Sequence, residues 1–277
     1  MAMGIAAAAG ICFWREYRIA AAVSNSQPVS NAIRPLPWAV CIGIILSFAP
    51  FAQAAEPPPD LARRVARRES QTLVERNEYA YRQSVRLQEM SERGAAQGEY
   101  REVRDVIFSP TKERTEKVVE EPRVTLKNLK MTEEDFRDIR EIQPFVLVEE
   151  FLPIYETKFR GEEIMDGIDC WVLLVRPRQI LQGQRLFDGL LWIQKRDYSI
   201  IRSEGQAVPQ IVSMKQENLF PRFTTVRKPF HDNFWFPVYT YADDTLNFRS
   251  GAQRIKLTIR YSGYQKFGTE SSIKFEN

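Results

Sequence analysis

From residue 79 to residue 267 the chain repeatedly alternates apolar and polar side chains with a period of two. That pattern restricts it to strands with one buried face. The clearest case is QRIKLTIRYSGYQKF, where Ile255, Leu257, Ile259 and Tyr261 alternate with Lys256, Thr258 and Arg260. YAYRQSVRLQEM behaves likewise, with Tyr79, Tyr81, Val85 and Leu87 on one face and Arg82, Ser84, Arg86 and Gln88 on the other. Further strands are expected at YREVRDVIFS, ERTEKVV, YETKFRGEEI, CWVLLVRP, GLLWIQ, YSIIRSEG, FTTVRKP and WFPVYTYAD, separated by turn signals such as SERGAAQGE and MDGID. Regularly spaced strands of this kind predict a mainly β fold with a few helices, built on one antiparallel sheet, curled or closed.

Two segments break the period. LARRVARRESQTLVER predicts a surface helix over 61–76, capped by Asp60, with a narrow apolar stripe through Leu61, Val65, Leu73 and Val74. MTEEDFRDIREIQP predicts a short inserted helix, with Thr132 as cap, acidic residues in its first turn, Phe136 and Ile139 on one face, and Pro144 as the stop.

Ahead of these lies an uncharged apolar run from Leu36 to Phe51, preceded by Arg34 and followed by Ala52, Gln53 and Ala54. This is the pattern of a secretory signal cleaved after Ala54, which places the chain in the periplasm. The run is broken by Pro37 and Pro50 and falls short of a membrane span. Cys41 sits inside it rather than at its end, which argues against a lipoprotein anchor. Residues 1–33 are too long for an ordinary leader's basic segment, as though the start were placed too far upstream, and stay outside the fold reading. The expected organisation is therefore an extension and signal over 1–54, a proline-rich spacer over 55–60, and a single domain over 61–277.

Without residues 1–54 the chain carries 36 basic and 35 acidic residues, spread without a basic patch of the kind nucleic acids require. Cys170 is then the one cysteine, so no internal disulfide is expected and the core alone must hold the fold.

The same scarcity limits chemistry. His231 is the sole histidine, in KPFHDNFWFP, and reads as a turn residue. A Ser-His-Asp arrangement or a His/Cys metal site has too few parts, so neither a metal nor a cofactor is expected. Cys170, beside Trp171, reads as a small buried hydrophobe. The carboxylate pairs Glu149 and Glu150, Glu162 and Glu163, and Asp243 and Asp244 could supply an acid and a base. Neighbours on a strand point to opposite faces, however, which favours solvated rims.

The apolar residues carry more information. In CWVLLV and GLLWI both faces are apolar, which fits a sheet covered on both sides by the helices or a curved sheet whose inner face is an apolar cavity closed by them. Two accounts fit. In one the interior is packed, and the protein is an interaction or scaffold module of the cell envelope. In the other the inner face is a cavity closed by the helices and lined from Val85, Leu87, Phe136, Ile139, Trp171, Leu173, Trp192, Ile255, Leu257 and Ile259. In the second account at least one of Trp171, Trp192 and Trp235 is expected to report ligand binding by fluorescence.

The stretch FDGLLWIQKRDYSIIRSEG, with its strand-Gly-x-x-Trp-Ile, polar turn and Ile-x-Arg-x-Glu, resembles the central hairpin of the LolA/LolB-like family of periplasmic outer-membrane lipoprotein-sorting proteins. The order of signal peptide, leading helix, strands, helical insertion and closing strands is similar too, over about residues 61–267. The segments GQAVPQI, FPRFTTVRKP and WFPVYTYADDTLNF resemble exported acidobacterial proteins. The resemblance implies a half-open barrel with a helical lid that binds an acyl lipid or a lipidated protein without covalent chemistry. It also implies envelope protein partners and a role in outer-membrane biogenesis. No acyl-binding residue of the family maps onto a single position of this chain.

Overall fold

In a computed structural model of the chain, the described residues are 56–109, 113–141, 147–180, 185–212, 217–230 and 234–266. The expected signal segment, its cleavage site and His231 lie outside them. Among the described residues no helix is long and apolar enough to cross a membrane.

Helix α1 (Leu61–Arg76) is followed by strands β1 (Tyr79–Met90), β2 (Ala96–Phe108) and β3 (Arg114–Val124). Helix α2 (Glu133–Glu141) and a one-turn 3-10 helix (Leu152–Ile154) interrupt the series. Strands β4 (Tyr155–Met165), β5 (Ile168–Pro177), β6 (Leu186–Gln194) and β7 (Ile200–Val208) follow as a meander. A small hairpin, β8 (Ile211–Val212) with β9 (Glu217–Asn218), precedes β10 (Phe223–Pro229), β11 (Trp235–Phe248) and β12 (Gly251–Lys266).

Ten of these strands form one antiparallel sheet in the order β3-β2-β1-β12-β11-β10-β7-β6-β5-β4. β3 and β4 are its two edges and do not pair, so the sheet stays open. It is nevertheless strongly curved, because one face of nearly every strand contributes to a single apolar cluster, from Val106 of β2 through Leu257 of β12 and Phe223 of β10 to Leu173 of β5. The expected curved, half-open barrel is the observed architecture.

Period-two alternation fixes which side chains enter. Val85 lies opposite Ile259 and Leu87 opposite Leu257, so the apolar members of β1 and β12 share the concave face. Across the hairpin of β6 and β7, Gly189 pairs with Gly205, and the Phe187 ring lies over both. A Cβ on Gly189 would stand 2.6 Å from that ring and 2.2 Å from the Glu204 carbonyl oxygen, so both positions require glycine.

α1 crosses the concave face at one end of the barrel. Its contacts are with the β6–β7 turn through Arg64 and Tyr198, with the start of β1 through Arg76 and Tyr81, and with the end of β12 through Glu75 and Lys266. Its inward line differs from the expected stripe. Leu61 and Val65 are buried, but Val74 is 64% exposed, and the line continues through Glu69, Thr72 and Arg76. These polar groups are accommodated because Arg227 of β10 answers Glu69, while Arg76 lies over the Tyr81 and Phe108 rings. Asp60 makes no side-chain capping bond to α1 and pairs instead with Arg64 at 2.8 Å.

α2 sits at the opposite end. Its N-terminus is a reciprocal capping box, in which Thr132 Oγ1 accepts the Asp135 N–H at 3.2 Å and Asp135 accepts the Thr132 N–H at 2.6 Å.

Candidate functional site

The concave face is filled at one end and open at the other. Under α1, Ser203, Thr225 and Thr240 are fully buried on neighbouring strands, with the two threonine hydroxyls 2.8 Å apart. Toward α2 the face turns apolar and opens into a cavity of about 660 Å³, a size that accommodates a drug-sized ligand.

Its floor comes from the sheet: Leu87 of β1, Ile255 and Leu257 of β12, and Leu246 of β11, each less than 9% exposed. Its roof comes from irregular segments. Leu129 and Met131 precede α2, Ile139 descends from α2, and Leu219 and Phe220 follow β9. The rim is polar, with Asn128, Lys130 and Ser250 exposed around the opening.

Two buried ionic devices hold the roof. The Glu89 carboxylate, on the inward face of β1, accepts the backbone N–H groups of Lys127, Asn128 and Leu129 at 2.7, 2.8 and 2.5 Å. Three charge-assisted bonds therefore fold the segment before α2 onto the sheet. At the other side of the roof, Arg185 pairs with Asp138 of α2 at 3.2 Å, with both side chains under 10% exposed. The same guanidinium donates to the Pro209 carbonyl at 2.7 Å and to the side-chain and backbone oxygens of Asn218. Burial pulls the Arg185 pKa down, and the Asp138 carboxylate opposes that shift. One arginine thus joins α2, the start of β6 and the β8–β9 hairpin.

Four of the ten expected lining residues, Leu87, Ile139, Ile255 and Leu257, line the cavity. Val85, Ile259, Trp171 and Leu173 share its apolar cluster but are packed behind it. Phe136 packs at the edge of that cluster, its ring 5.3 Å from that of Tyr100. Trp192 is not brought to this side. It pairs in register with Val172, and the two pack with Cys170, Ile201 and Trp235 in a second cluster on the outer face. None of the three tryptophans lines the cavity, so intrinsic fluorescence has no reporter on its wall. The roof residues Leu129, Met131, Leu219 and Phe220 escaped sequence reading because loops carry no periodic signal.

Among the described residues, Asp135 and Glu217 are the carboxylates on the cavity wall, and both have structural tasks, Asp135 in the α2 cap and Glu217 in bonds to the Arg249 backbone and side chain. Of the carboxylate pairs considered above, Glu162 binds Lys195, Glu163 accepts the Trp192 indole N–H, and Asp243 binds Arg254. None of them reaches the cavity. Among the described residues no group of three or more His, Cys, Asp or Glu could hold a metal ion. The Cys170 thiol lies on the outer face, where burial pushes its pKa up to about 11.

No family model matches the chain, and no curated protein matches it. Solved structures similar to it include a DUF1329-family protein from Desulfovibrio piger, at 14% identity and TM-score 0.34 over 76% of this chain and 92% of that one. An outer-membrane lipoprotein-sorting protein domain from Vibrio parahaemolyticus is 11% identical, with TM-score 0.33 over 73% of this chain and 93% of that one. A LolA-superfamily protein from Nitrosomonas europaea is 13% identical, with TM-score 0.32 over 73% of this chain and 94% of that one. Each of the three is similar to this chain over about three quarters of its length.

Proposed function

We propose that the chain is a non-catalytic carrier of the bacterial periplasm that holds the acyl chain of a lipid or of a lipidated protein. The observation that carries this reading is the cavity of about 660 Å³, with an apolar floor on the open sheet and a roof of separately anchored segments. Its floor offers apolar contact, and the two carboxylates of its described lining, Asp135 and Glu217, are engaged in structural bonds, which suits retention and release of a ligand rather than its conversion. Export through the apolar segment at residues 36–51 supplies the compartment, and envelope proteins that donate or receive the ligand are the expected partners.

The packed end beneath α1 favours a second reading, an envelope interaction module whose interior is structural. Lipid extraction separates the two. Protein purified from a periplasmic fraction should release acyl lipid detectable by mass spectrometry in near-stoichiometric amount, and delipidated protein should take up a lysophospholipid. Absence of both leaves the interaction module.

A further inference from the structure

The end of the barrel farthest from the cavity carries a concentration of positive charge on a chain that is otherwise nearly balanced. α1 presents Arg63, Arg64 and Arg67 outward, with Arg68 half-buried beside them, and the β6–β7 turn brings Arg196 to the same place. Four of these five guanidinium groups border one groove of about 370 Å³, together with Gln71, Asp197 and Tyr198. The nearby carboxylates neutralise Arg67 and Arg196 incompletely. Asp60 holds Arg64 at 2.8 Å, but Glu149 stands 3.7 Å from Arg67. Arg67 is 67% exposed, and exposed Arg196 has no ion pair or hydrogen bond among the described residues.

The wall of this groove is preorganised. Tyr198 has a positive φ of 63°, and its N–H is held by the Gln194 carbonyl at 3.0 Å. Its ring stacks on Trp171 with centroids 5.6 Å apart, and its hydroxyl accepts from Arg64 at 3.2 Å. Arg68 is fixed over the Phe234 ring at 4.3 Å and donates to Ser199 Oγ at 3.1 Å. Arginine forks on a rigid, concave and partly aromatic support match a tetrahedral oxyanion in charge and in hydrogen-bond geometry.

We infer that the groove between α1 and the β6–β7 turn binds a phosphate group, of the kind borne by phospholipid headgroups and by free phosphate. The site is separate from the cavity and does not depend on the carrier reading, because its residues and the cavity lining have no member in common.

The test uses the exported chain with vesicles of phosphatidylcholine, vesicles of phosphatidylcholine with phosphatidylglycerol, and inorganic phosphate in a calorimetric titration. The double variant Arg67→Gln and Arg196→Gln removes two exposed forks and should fold as the parent does, as judged by its melting curve. Arg254→Gln, at another exposed arginine, controls for diffuse surface charge. Retention on the anionic vesicles, weakened roughly tenfold in the double variant and unchanged in the control, assigns the site to a headgroup. Phosphate binding lost in the double variant, with no preference between vesicles, assigns it to the free ion. The inference is overturned if the parent binds neither probe, if the double variant binds as the parent does, or if the control loses as much. Uptake of uncharged acyl lipid should persist in the double variant, so failure here and failure of the carrier reading are distinguishable.

Discussion

Arg227 of β10 grips Glu69 of α1 through two parallel hydrogen bonds of 2.7 and 2.8 Å, and neither side chain is more than 1% exposed. The pair spans 158 residues of sequence and fastens the first helix of the fold to the middle of the sheet. Leaving either charge alone in that interior is costly, whereas replacing both by apolar groups is far less so. Glu69→Ala is expected to destabilise the protein by about 3–5 kcal/mol, and Glu69→Leu with Arg227→Met to recover most of that loss. Urea denaturation of the three proteins checks it, and a single-variant loss under about 1 kcal/mol contradicts the role assigned to the pair.

Glu89 should control the roof of the cavity. Glu89→Gln keeps the size of the side chain but removes the charge that strengthens its three backbone bonds. A loss of about 2–3 kcal/mol is expected, together with faster hydrogen exchange at the amides of Lys127, Asn128 and Leu129. Unchanged exchange at those amides would show that other contacts hold the segment.

The glycine pair of the central hairpin permits a sharper substitution. Gly189→Ala would push a methyl group into the Phe187 ring and the neighbouring strand, so a loss of about 1–3 kcal/mol is expected. Gly189→Ala combined with Phe187→Leu should recover part of it if the ring is the main obstacle. Equal stability of the two variants would place the obstacle in the backbone of β7.

Alkaline pH should unfold the protein through its buried acids. Burial raises the Cys170 thiol to about 11 and the Tyr261 hydroxyl to about 12, from ordinary values of 9.0 and 10.0. Both groups ionise more readily in the unfolded chain. Their contribution is therefore complete below about pH 9 and is lost as pH rises through the folded values. Melting temperature should be flat near neutrality and fall between pH 9 and 12, and Cys170→Ala should soften the early part of that fall. In the native protein at pH 8 the thiol should resist alkylation. Rapid labelling without unfolding would contradict its burial.

The strands were legible in the sequence because each inward position is set by the one two residues earlier. β1 runs over Tyr79–Met90, the segment the alternation marks, and α1 over Leu61–Arg76 likewise. Sidedness failed where both faces are apolar. Within LLWI nothing local tells whether Leu191 and Ile193 or Leu190 and Trp192 face inward, and pairing with β5 decides it by setting Trp192 opposite Val172 and Leu191 opposite Leu173. The inward line of α1 misled for a related reason, since Glu69 is buried by a partner 158 residues away that no local pattern reveals. The cavity was half legible, its floor following from the strands while its roof depends on loop residues held by Glu89 and Arg185.

The central claim is that the open end of the barrel holds an acyl chain. Titrating delipidated protein with a series of single-chain phospholipids of increasing length tests it most directly. Each added methylene buried on the floor of Leu87, Leu246, Ile255 and Leu257 should contribute about 0.8 kcal/mol, close to fourfold in affinity, until the cavity is full. Leu246→Trp, which fills the space from the floor, should shorten the chain length at which affinity levels off. Affinity that does not depend on chain length, and that Leu246→Trp leaves unchanged, would contradict the account.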